Sequence, residues 1–338
     1  MKIKLLTSAI KGKEREKILK ELKNGKIDFL VGTHAILEDT VDFKNLQFCV
    51  IDEQHRFGVN QREKLIKKGS PHILQMTATP IPRTLAMIAF GDQNLSVLTE
   101  TPPGRKKIIT KVVSPSDRKE IEKFVSIEIE KGRQVFVICP LVQESKKLEV
   151  TSVQEEFSKL KKIFPKFKIE VLHGKMLSNE KNEIMERFKK NDFDILVSTS
   201  VVEVGVDVPN ATIILIEGAE RFGLAQLHQF RGRVGRNKLQ SYCFLFPTKN
   251  ITPRLYAMEK ENCGFKLAEI DLKIRGSGEI FGTQQSGFSD FKMINFSDGR
   301  IIAASQKSAE KFFEKNSDLK KFPEILKKIE KMENATQI

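Results

Sequence analysis

The sequence predicts an α/β protein in which two successive parallel-sheet domains are followed by a mostly helical C-terminal segment. Short apolar runs alternate with amphipathic stretches up to about residue 98, which is typical of βαβ units. The alternation stops at the turn-prone sequence Thr-Glu-Thr-Pro-Pro-Gly-Arg (99–105) and then begins again. After Pro247 the apolar runs give way to segments with helical periodicity.

These observations divide the chain into four parts. We expect an incomplete first α/β domain over 1–98, a linker over 99–110, a second α/β domain over 111–250 and a helical element over 251–338. Residues 252–275 are predicted to form one helix. The predicted strands of the two domains are Lys2–Leu6, Asp28–Val31, Leu46–Ile51, His72–Met76, Gln134–Ile138, Lys168–Leu172, Asp194–Val197, Thr212–Ile216 and Ser241–Phe246.

Composition limits the classes of function. The chain has 338 residues, a formal net charge of +14 and a pI of about 9.5. Such an excess of positive charge favours a polyanionic partner, nucleic acid first, although a generally lysine-rich proteome is the alternative. The four cysteines are far apart and form no CxxC pair, which argues against a disulfide scaffold or zinc site and favours a cytoplasmic location. No apolar run approaches the length of a membrane span, so we expect no membrane partner.

The apolar run Leu46–Ile51 ends abruptly in Asp52, Glu53, Gln54 and His55. Such a run predicts a strand buried on both faces of a parallel sheet. The polar cluster then lies at the carboxyl end of the strand, where open α/β sheets bind their ligands. One acid there can hold Mg²⁺, and the next can orient or deprotonate a water molecule. The alternative is a strand followed by a solvated turn.

A second candidate site is the arginine-rich motif Gln229–Arg236, with the sequence Gln-Phe-Arg-Gly-Arg-Val-Gly-Arg. Arginine keeps its charge at any physiological pH, and its planar fork matches phosphate oxygens. An arginine delivered onto a nucleotide stabilises the charge of phosphoryl transfer, an effect worth on the order of 10³–10⁵ in rate. The alternative is a basic helix end that binds nothing in particular, which the glycine spacing disfavours.

The order and spacing of four motifs resemble those of superfamily 2 helicases, whose motor is a pair of RecA-like domains. Within that family the chain is similar to a bacterial branch that acts on branched DNA in recombination and repair, in the stretches Asp52–Val59, Met76–Thr84 and Asp271–Gly287. The last of these resembles the translocation element of that branch. The resemblance covers nearly the whole chain. The four motifs are Asp52–His55, Thr77–Thr79, Ser198–Pro209 and Gln229–Arg236.

The resemblance implies roles for individual residues. Asp52 would hold Mg²⁺ with the nucleotide, and Glu53 would activate water. Gln54 and His55 would sense the γ-phosphate, and Arg233 and Arg236 would be arginine fingers. The residues implied in nucleotide binding by the second domain are Gly205, Asp207 and Gln229. Those implied in coupling the nucleotide state to DNA are His34, Thr77, Thr79, Arg275 and Gln285.

One motif of the family is absent from the sequence. No G-x-x-x-x-G-K-[ST] occurs, although this loop cradles the phosphates of ATP in the family. The N-terminal wedge domain of the branch is absent too. The resemblance therefore implies the C-terminal part of an ATP- and Mg²⁺-dependent translocase on branched or double-stranded DNA, remodelling stalled forks and Holliday junctions. An upstream segment would then carry the phosphate-binding loop (Walker A) and the wedge. The alternative is a DNA-binding remnant, or one part of a split helicase, that is inactive alone as an ATPase. We also expect residues 1–98 to be unstable by themselves and residues 106–250 to fold well.

Overall fold

The structure, a computed structural model, divides into two units at Thr79 and Pro80. The first unit is Met1–Thr79 and the second is Pro80–Ile338. The structure describes residues 1–53, 64, 68–79, 94–98, 100, 102–140, 146–199, 207–248, 250–275, 299–316 and 318–336.

The first unit contains two pairs of parallel strands. Strands β1 (Ile3–Leu6) and β2 (Phe29–Gly32) form one pair, and β3 (Phe48–Ile51) and β4 (His72–Gln75) form the other. Helix α1 (Gly12–Lys23) connects β1 to β2, since parallel neighbours need a crossover connection. The helix buries Ile18 and Leu22 against Leu6 and Val41, and it ends where Gly25 adopts a φ of +71°.

One face of each strand pair in the first unit is exposed. In β1 and β2 the side chains of Ile3, Leu5, Phe29 and Val31 are all about half exposed, and the parallel register places Ile3 beside Phe29 and Leu5 beside Val31. In β3, Phe48 is 56% and Val50 45% exposed, whereas Ile51 is 3% exposed. The prediction that this strand is buried on both faces is therefore wrong. A strand with one covered face carries the same apolar run as a strand with two, so the sequence alone could not distinguish them.

The second unit is built on a six-stranded parallel sheet with the order β5-β10-β9-β6-β8-β7. Four of its central strands are almost entirely buried, which explains their continuous apolar sequences. The strands are β5 (Ile109–Val112), β6 (Gln134–Ile138), β7 (Ile169–Leu172), β8 (Ile195–Ser198), β9 (Ala211–Glu217) and β10 (Tyr242–Phe246).

Alternate residues of this sheet enter two separate cores. On one face Val135, Val137 and Val197 pack against α2 (Arg118–Glu130) and α3 (Lys146–Ile163). The other face holds Phe136 and Ile138 and is covered by five segments. These are α4 (Ser178–Lys189), the 3₁₀ turn Ala219–Arg221, α5 (Leu224–Arg231), α6 (Pro253–Lys260) and α7 (Gly264–Arg275).

The structure differs from the sequence-based expectation in two places along the chain, just before the second sheet begins and after its last strand. Residues 109 and 110, expected in the linker, begin the edge strand β5. The single helix expected over 252–275 is wrong, because α6 and α7 are separated by 261–263. At this break Glu261 has an extended backbone (φ −114°, ψ 128°), and its carboxylate accepts a hydrogen bond from the amide of Cys263 at 2.7 Å. This side-chain acceptor competes with the helix for the backbone amide.

Helices α6 and α7 belong to the core of the second unit. Leu255, Met258 and Leu267 are completely buried in the same cluster as α5 and the sheet. Farther along, α8 (Gly299–Lys315) and α9 (Pro323–Thr336) flank the 3₁₀ turn Leu319–Lys321, where Phe312 and Phe322 meet edge to face at 4.9 Å. Among the described residues, no helix is long and apolar enough to cross a membrane.

Candidate nucleotide site

The acid pair and the Thr-Ala-Thr turn lie side by side in the first unit. Strands β3 and β4 run parallel with Ile51 opposite Gln75, so Asp52 and Glu53 leave the sheet next to Thr77. The amide of Met76 also donates to the carbonyl of Ile51 at 2.8 Å, which continues the pairing beyond the strands. Two sequence motifs that are 24 residues apart thus meet at the carboxyl edge of one strand pair, where α/β sheets bind ligands.

The turn that carries the acids has a distinct backbone. Glu53 has a φ of 52°, a left-handed conformation that is uncommon for a residue with a side chain. Its amide donates to Oδ1 of Asp52 at 2.9 Å, which supports the turn and orients the Asp52 carboxylate. The side chain of Asp52 is exposed and Glu53 is half-buried. With this backbone conformation the two neighbouring carboxylates differ in their exposure to solvent.

The threonine turn is held in a similar way. The hydroxyl oxygen of Thr77 accepts a hydrogen bond from the amide of Thr79 at 3.1 Å; Thr77 is exposed and Thr79 is half-buried. This is the local bond that favours threonine in turns. His34 is also exposed and begins the 3₁₀ turn His34–Leu37 that follows β2. Leu37 of this turn packs on Ile51, so the segment after β2 is anchored against the strand that carries the acids.

In the second unit, α5 leads directly into the arginine-rich motif. Leu224, Leu227 and Phe230 bury one side of the helix, and Gln229 lies half-buried at its edge. The chain then turns sharply, since the amide of Arg233 donates to the carbonyl of Phe230 at 2.9 Å. Arg233 is 9% exposed, so much of its side chain lies within the fold.

Arg236 lies at the end of this turn and is close to Asp207. Its Nη1 is 3.6 Å from Oδ1 of Asp207, and its Nε donates to the carbonyl of Gly232 at 3.3 Å. The Asp207 side chain is 57% exposed and that of Arg236 27% exposed, so the pair is open to solvent. The structure therefore brings together Asp207 and Arg236, two residues that were assigned separately to nucleotide binding.

Arg231, the first arginine of the motif, has a different environment. It is 2% exposed, and its guanidinium donates to the carbonyls of Met258, Glu261 and Asn262 at 2.9–3.1 Å. These carbonyls lie at the C-terminus of α6, where helix carbonyls lack partners within the helix. Sequence reasoning assigned no role to Arg231. The spacing offered a hint: Arg231 lies two residues before Arg233 at the end of a helix, and side chains two residues apart on a helix point in different directions.

His228, one turn before Arg231, completes this contact. Its Nδ1 is 3.0 Å from Nη2 of Arg231. A guanidinium can only donate, so Nδ1 is the acceptor and the imidazole is neutral. Burial, with a further contribution from the Arg231 charge, lowers the pKa of His228 to about 4. The histidine is therefore an uncharged part of the connection between α5 and α6.

A third group of residues fixes the end of β9. The Arg118 guanidinium donates to both carboxylate oxygens of Glu217, to Oε2 at 3.1 Å and to Oε1 at 2.5 Å. It also lies over the ring of Phe246, 4.6 Å from the ring centroid. Since β9 leads through the turn at Ala219–Arg221 into α5, this contact holds the start of the segment that carries the arginine-rich motif.

Several predicted site residues lie outside the described residues. These are Gln54, His55, Gly205 and Gln285. The backbone of Arg275 ends α7, and its side chain is not described.

Each unit, taken by itself, has a group that fits one part of an ATP–Mg²⁺ complex. The exposed carboxylate of Asp52 at a strand end provides the oxygen ligand that Mg²⁺ prefers. The exposed fraction of Arg236 provides a cation for phosphate oxygens. The sequence has no G-x-x-x-x-G-K-[ST] loop to cradle phosphates, so most of the contacts that the phosphates of ATP need have no assigned residue.

Three families match successive parts of the chain. Residues 1–88 match the DEAD/DEAH box helicases, and residues 118–238 match the helicase conserved C-terminal domain. Residues 261–336 match the C-terminal part of domain 3 of the ATP-dependent DNA helicase RecG. The last match decides among helicase groups, because it lies outside the two motor domains that many helicases share. The chain is homologous to the C-terminal half of RecG helicases.

Individual relatives agree with this assignment. The RecG helicase of Aquifex aeolicus is 46% identical over 338 aligned residues, which cover 96% of this chain and 43% of that protein. A solved structure of RecG bound to a three-way DNA junction is 42% identical with a TM-score of 0.68, and the match covers 82% of this chain and 37% of that one. The chain thus spans less than half the length of the RecG relatives that it matches.

A more distant structure supports the fold alone. A single-residue variant of Dbp5 from S. cerevisiae, bound to RNA and ADP BeF3, is 14% identical with a TM-score of 0.51, covering 91% of this chain and 74% of that one. The tandem RecA-like architecture expected from the sequence is confirmed.

Proposed function

We propose that the chain is the part of a RecG-type, ATP-dependent DNA translocase that carries the acid pair, the arginine fingers and the translocation element. The full activity would remodel stalled forks and Holliday junctions on branched or double-stranded DNA, in the cytoplasm of a bacterium. One observation carries the proposal most directly: β3 and β4 pair in parallel and set Asp52 and Glu53 beside Thr77. An acid pair next to a threonine turn suits a site that hydrolyses ATP and couples the state of the bound nucleotide to the DNA-binding surface.

In this proposal each residue has a stated task. Asp52 holds Mg²⁺, which supplies charge neutralisation on the phosphates when it is bound. Glu53 is half-buried, and its backbone amide donates a hydrogen bond to the Asp52 carboxylate; its own carboxylate orients and deprotonates the attacking water. Arg233 and Arg236 stabilise the negative charge of phosphoryl transfer, with Asp207 and Gln229 beside them and Gly205 in the preceding motif.

The remaining assigned residues couple hydrolysis to DNA. Gln54 and His55 follow the acids directly and sense the γ-phosphate. His34, Thr77 and Thr79 lie at strand ends of the first unit, where a change of nucleotide state is transmitted to DNA. Arg275, at the end of α7, and Gln285 belong to the element that moves along the duplex.

DNA-stimulated ATP hydrolysis by the full chain tests this proposal. We expect turnover in the presence of Mg²⁺ and branched DNA, and its loss in Glu53→Gln. Glu16→Gln, which neutralises an exposed acid on α1, is the matched control and keeps the parental rate. Hydrolysis that is equal in Glu53→Gln and the parent would remove Glu53 from the reaction and contradict the proposal.

A second candidate is a DNA-binding remnant, or one part of a split helicase, without ATPase activity of its own. The absence of a G-x-x-x-x-G-K-[ST] motif favours it. This candidate predicts DNA affinity that falls steeply with salt, because the +14 charge acts through phosphate contacts, and no turnover at any DNA concentration. Turnover that Glu53→Gln abolishes would exclude it.

The exposed faces of the first unit suggest a partner for the split arrangement. Parallel sheets are normally covered on both faces, yet Ile3, Leu5, Phe29, Val31 and Phe48 are about half exposed. We propose that these side chains pack against the segment that RecG relatives carry upstream, which contains the phosphate-binding loop and the wedge. Adding that segment in trans should slow amide exchange in β1 to β3 and increase the rate of DNA-stimulated ATP hydrolysis. Unchanged exchange at saturating concentrations would contradict this pairing.

A further inference from the structure

The segment before β5 lies against the turn that carries Arg236. The Nε of Arg105 donates to the carbonyl of Gly235 at 2.6 Å, across 130 positions of sequence. Two residues later, the carbonyl of Lys107 accepts a hydrogen bond from the side chain of Gln240 at 2.9 Å. The short stretch 105–108 therefore contacts the arginine-rich motif and the residues that follow it, before the chain enters the sheet at Ile109.

The conformation of Gly235 makes this contact specific. Gly235 has a φ of +73°, which only glycine adopts without strain. A Cβ atom at this position would lie 2.8 Å from Cγ1 of Ile108, so the close approach of the two segments also requires glycine. The side chain of Ile108 packs against one side of the turn, and the hydrogen bond from Arg105 holds the carbonyl of Gly235.

The position of Arg236 depends on this turn. Arg236 follows Gly235 directly, and its own contacts are weak: Nε to the Gly232 carbonyl at 3.3 Å and Nη1 to an exposed carboxylate at 3.6 Å. Contacts of this length and exposure contribute little to fixing a long side chain. The direction of Arg236 is therefore set mainly by the backbone of the turn, which the charged hydrogen bond from Arg105 restrains.

We propose that Arg105 is a positioning residue for Arg236: its hydrogen bond to the Gly235 carbonyl fixes the turn from which Arg236 reaches the phosphates. The inference rests on the proposed function for the task of Arg236. Arg105 lies in the second unit, in the segment directly before β5, so a shift of that segment is transmitted to the turn through this bond. The path of the segment before β5 thereby affects the placement of Arg236.

Two substitutions separate the hydrogen bond from charge and bulk. In Arg105→Gln the amide nitrogen is attached to Cδ, as Nε is in arginine, so a neutral donor remains at the same place. In Arg105→Met the length and apolar contact remain but the donor is lost. We expect ¹⁵N relaxation in the full chain to show increased mobility at 234–237 in Arg105→Met and parental mobility in Arg105→Gln. The carbonyl carbon signal of Gly235 should shift in Arg105→Met alone.

The amides of 258–261 serve as the internal control, because Arg231 holds that region independently of Arg105. The inference is overturned if mobility at 234–237 is parental in Arg105→Met, or if Arg105→Gln behaves as Arg105→Met. It is also overturned if signals change throughout the second sheet, since that indicates a general loss of fold.

Relaxation decides the role of Arg105 whether or not the chain hydrolyses ATP, so failure of this inference and failure of the proposed function are distinguishable. Where DNA-stimulated turnover is measured, kcat of Arg105→Met should fall roughly three- to tenfold with KM for ATP unchanged. Adding Arg105→Met to Arg236→Ala should then cause no further loss, because the first residue acts through the second. Additive losses would overturn the inference.

Discussion

Burying an arginine is costly unless its donors are matched, and Arg231 meets this condition with main-chain carbonyls. Its guanidinium contacts Met258, Glu261 and Asn262 at the end of α6, together with the imidazole of His228. One side chain thus provides the missing partners for a helix terminus and joins that helix to α5. The arginine-rich motif therefore combines a structural cation at 231 with more accessible charge at 236.

Replacing Arg231 by alanine should destabilise the second unit by about 3 kcal/mol or more, because several buried carbonyls lose their donor. Urea unfolding followed by tyrosine fluorescence measures this selectively, since both tyrosines, Tyr242 and Tyr256, lie in the second unit and the chain has no tryptophan. Arg187→Ala is the matched control. It removes a half-exposed ion pair with Glu170 and should cost less than about 1 kcal/mol. Equal costs for the two variants would contradict this view of Arg231.

The lowered pKa of His228 predicts a pH dependence of stability. The folded-state pKa is about 4 and the ordinary value 6.5, so between these values the unfolded chain binds the proton more readily. The free energy of unfolding should therefore decrease as pH falls from 6.5 to about 4, by up to about 3 kcal/mol. Unfolding of His228→Gln should lose this component, whereas His72→Gln, which replaces an exposed histidine of the first unit, should retain it. A parental pH profile in His228→Gln would refute the assignment.

At the residue scale, residue types and spacing predict which residues form the candidate site, but they do not distinguish the environments of its individual arginines. The Asp52–Glu53 pair and the arginine-rich motif were recognisable because few other functions require those residues in that order. The distinction between Arg231 and Arg236 depends on which carbonyls lie nearby, and those carbonyls belong to α6, more than twenty residues later. The left-handed backbone of Glu53 likewise follows from the strand pairing and leaves no local signal.

Among the elements, the edge strand β5 shows how the C-terminal helices complete the second sheet. Its Val112 amide donates to Oε1 of Glu259 on α6 at 3.0 Å. An edge strand otherwise leaves such amides to solvent or to another chain. Helix α6 therefore satisfies the edge of the sheet as well as covering its face.

Removal of this acceptor should expose the edge. In Glu259→Ala, hydrogen exchange at the Val112 amide should accelerate about tenfold or more, because a hydrogen bond to a charged group is lost. Glu259→Gln keeps the oxygen acceptor and should stay within a fewfold of the parent. The two variants are compared by amide exchange in the full chain. If Glu259→Gln accelerates exchange as much as Glu259→Ala, the carbonyl-type acceptor at this position does not protect the edge.

The sequence predicted five strands of the second unit to within one residue at each end, because their apolar runs are strong and are bounded by polar residues. It failed where an element depends on distant partners. Strand β5 has a weak apolar pattern and exists because β10 provides its ladder. The break between α6 and α7 falls in an otherwise helical pattern, where the Glu261 side chain accepts from the Cys263 amide.

Taken whole, the molecule consists of two units with unequal cores. The second unit has two apolar clusters on opposite faces of a six-stranded sheet. The described part of the first unit has two strand pairs, with clusters of four and two fully buried apolar residues. Since stability depends on the apolar area that folding buries, the two units should differ widely in resistance to unfolding.

Limited trypsin digestion of the full chain tests this difference. We expect the first unit to be cut early and a resistant fragment from the second unit, containing 106–250, to persist. Lysines are frequent in both units, so the availability of cleavage sites does not bias the result. Mass spectrometry identifies the fragments. Similar lifetimes for both units would show that the exposed faces of β1 to β4 do not weaken the first unit.

The arrangement around Arg231 has a consequence for how this protein tolerates sequence change. Three of its acceptors are backbone carbonyls, which every amino acid possesses, so Asn262 can be replaced without removing the contact. Position 231 itself has no substitute, because lysine lacks the planar fork that reaches several carbonyls at once. In a saturation mutagenesis experiment scored by folding, this contact should therefore require one particular residue at position 231 but none at the position of a carbonyl acceptor such as Asn262. Two helices that hold each other in this way can diverge at different rates while their joint geometry persists.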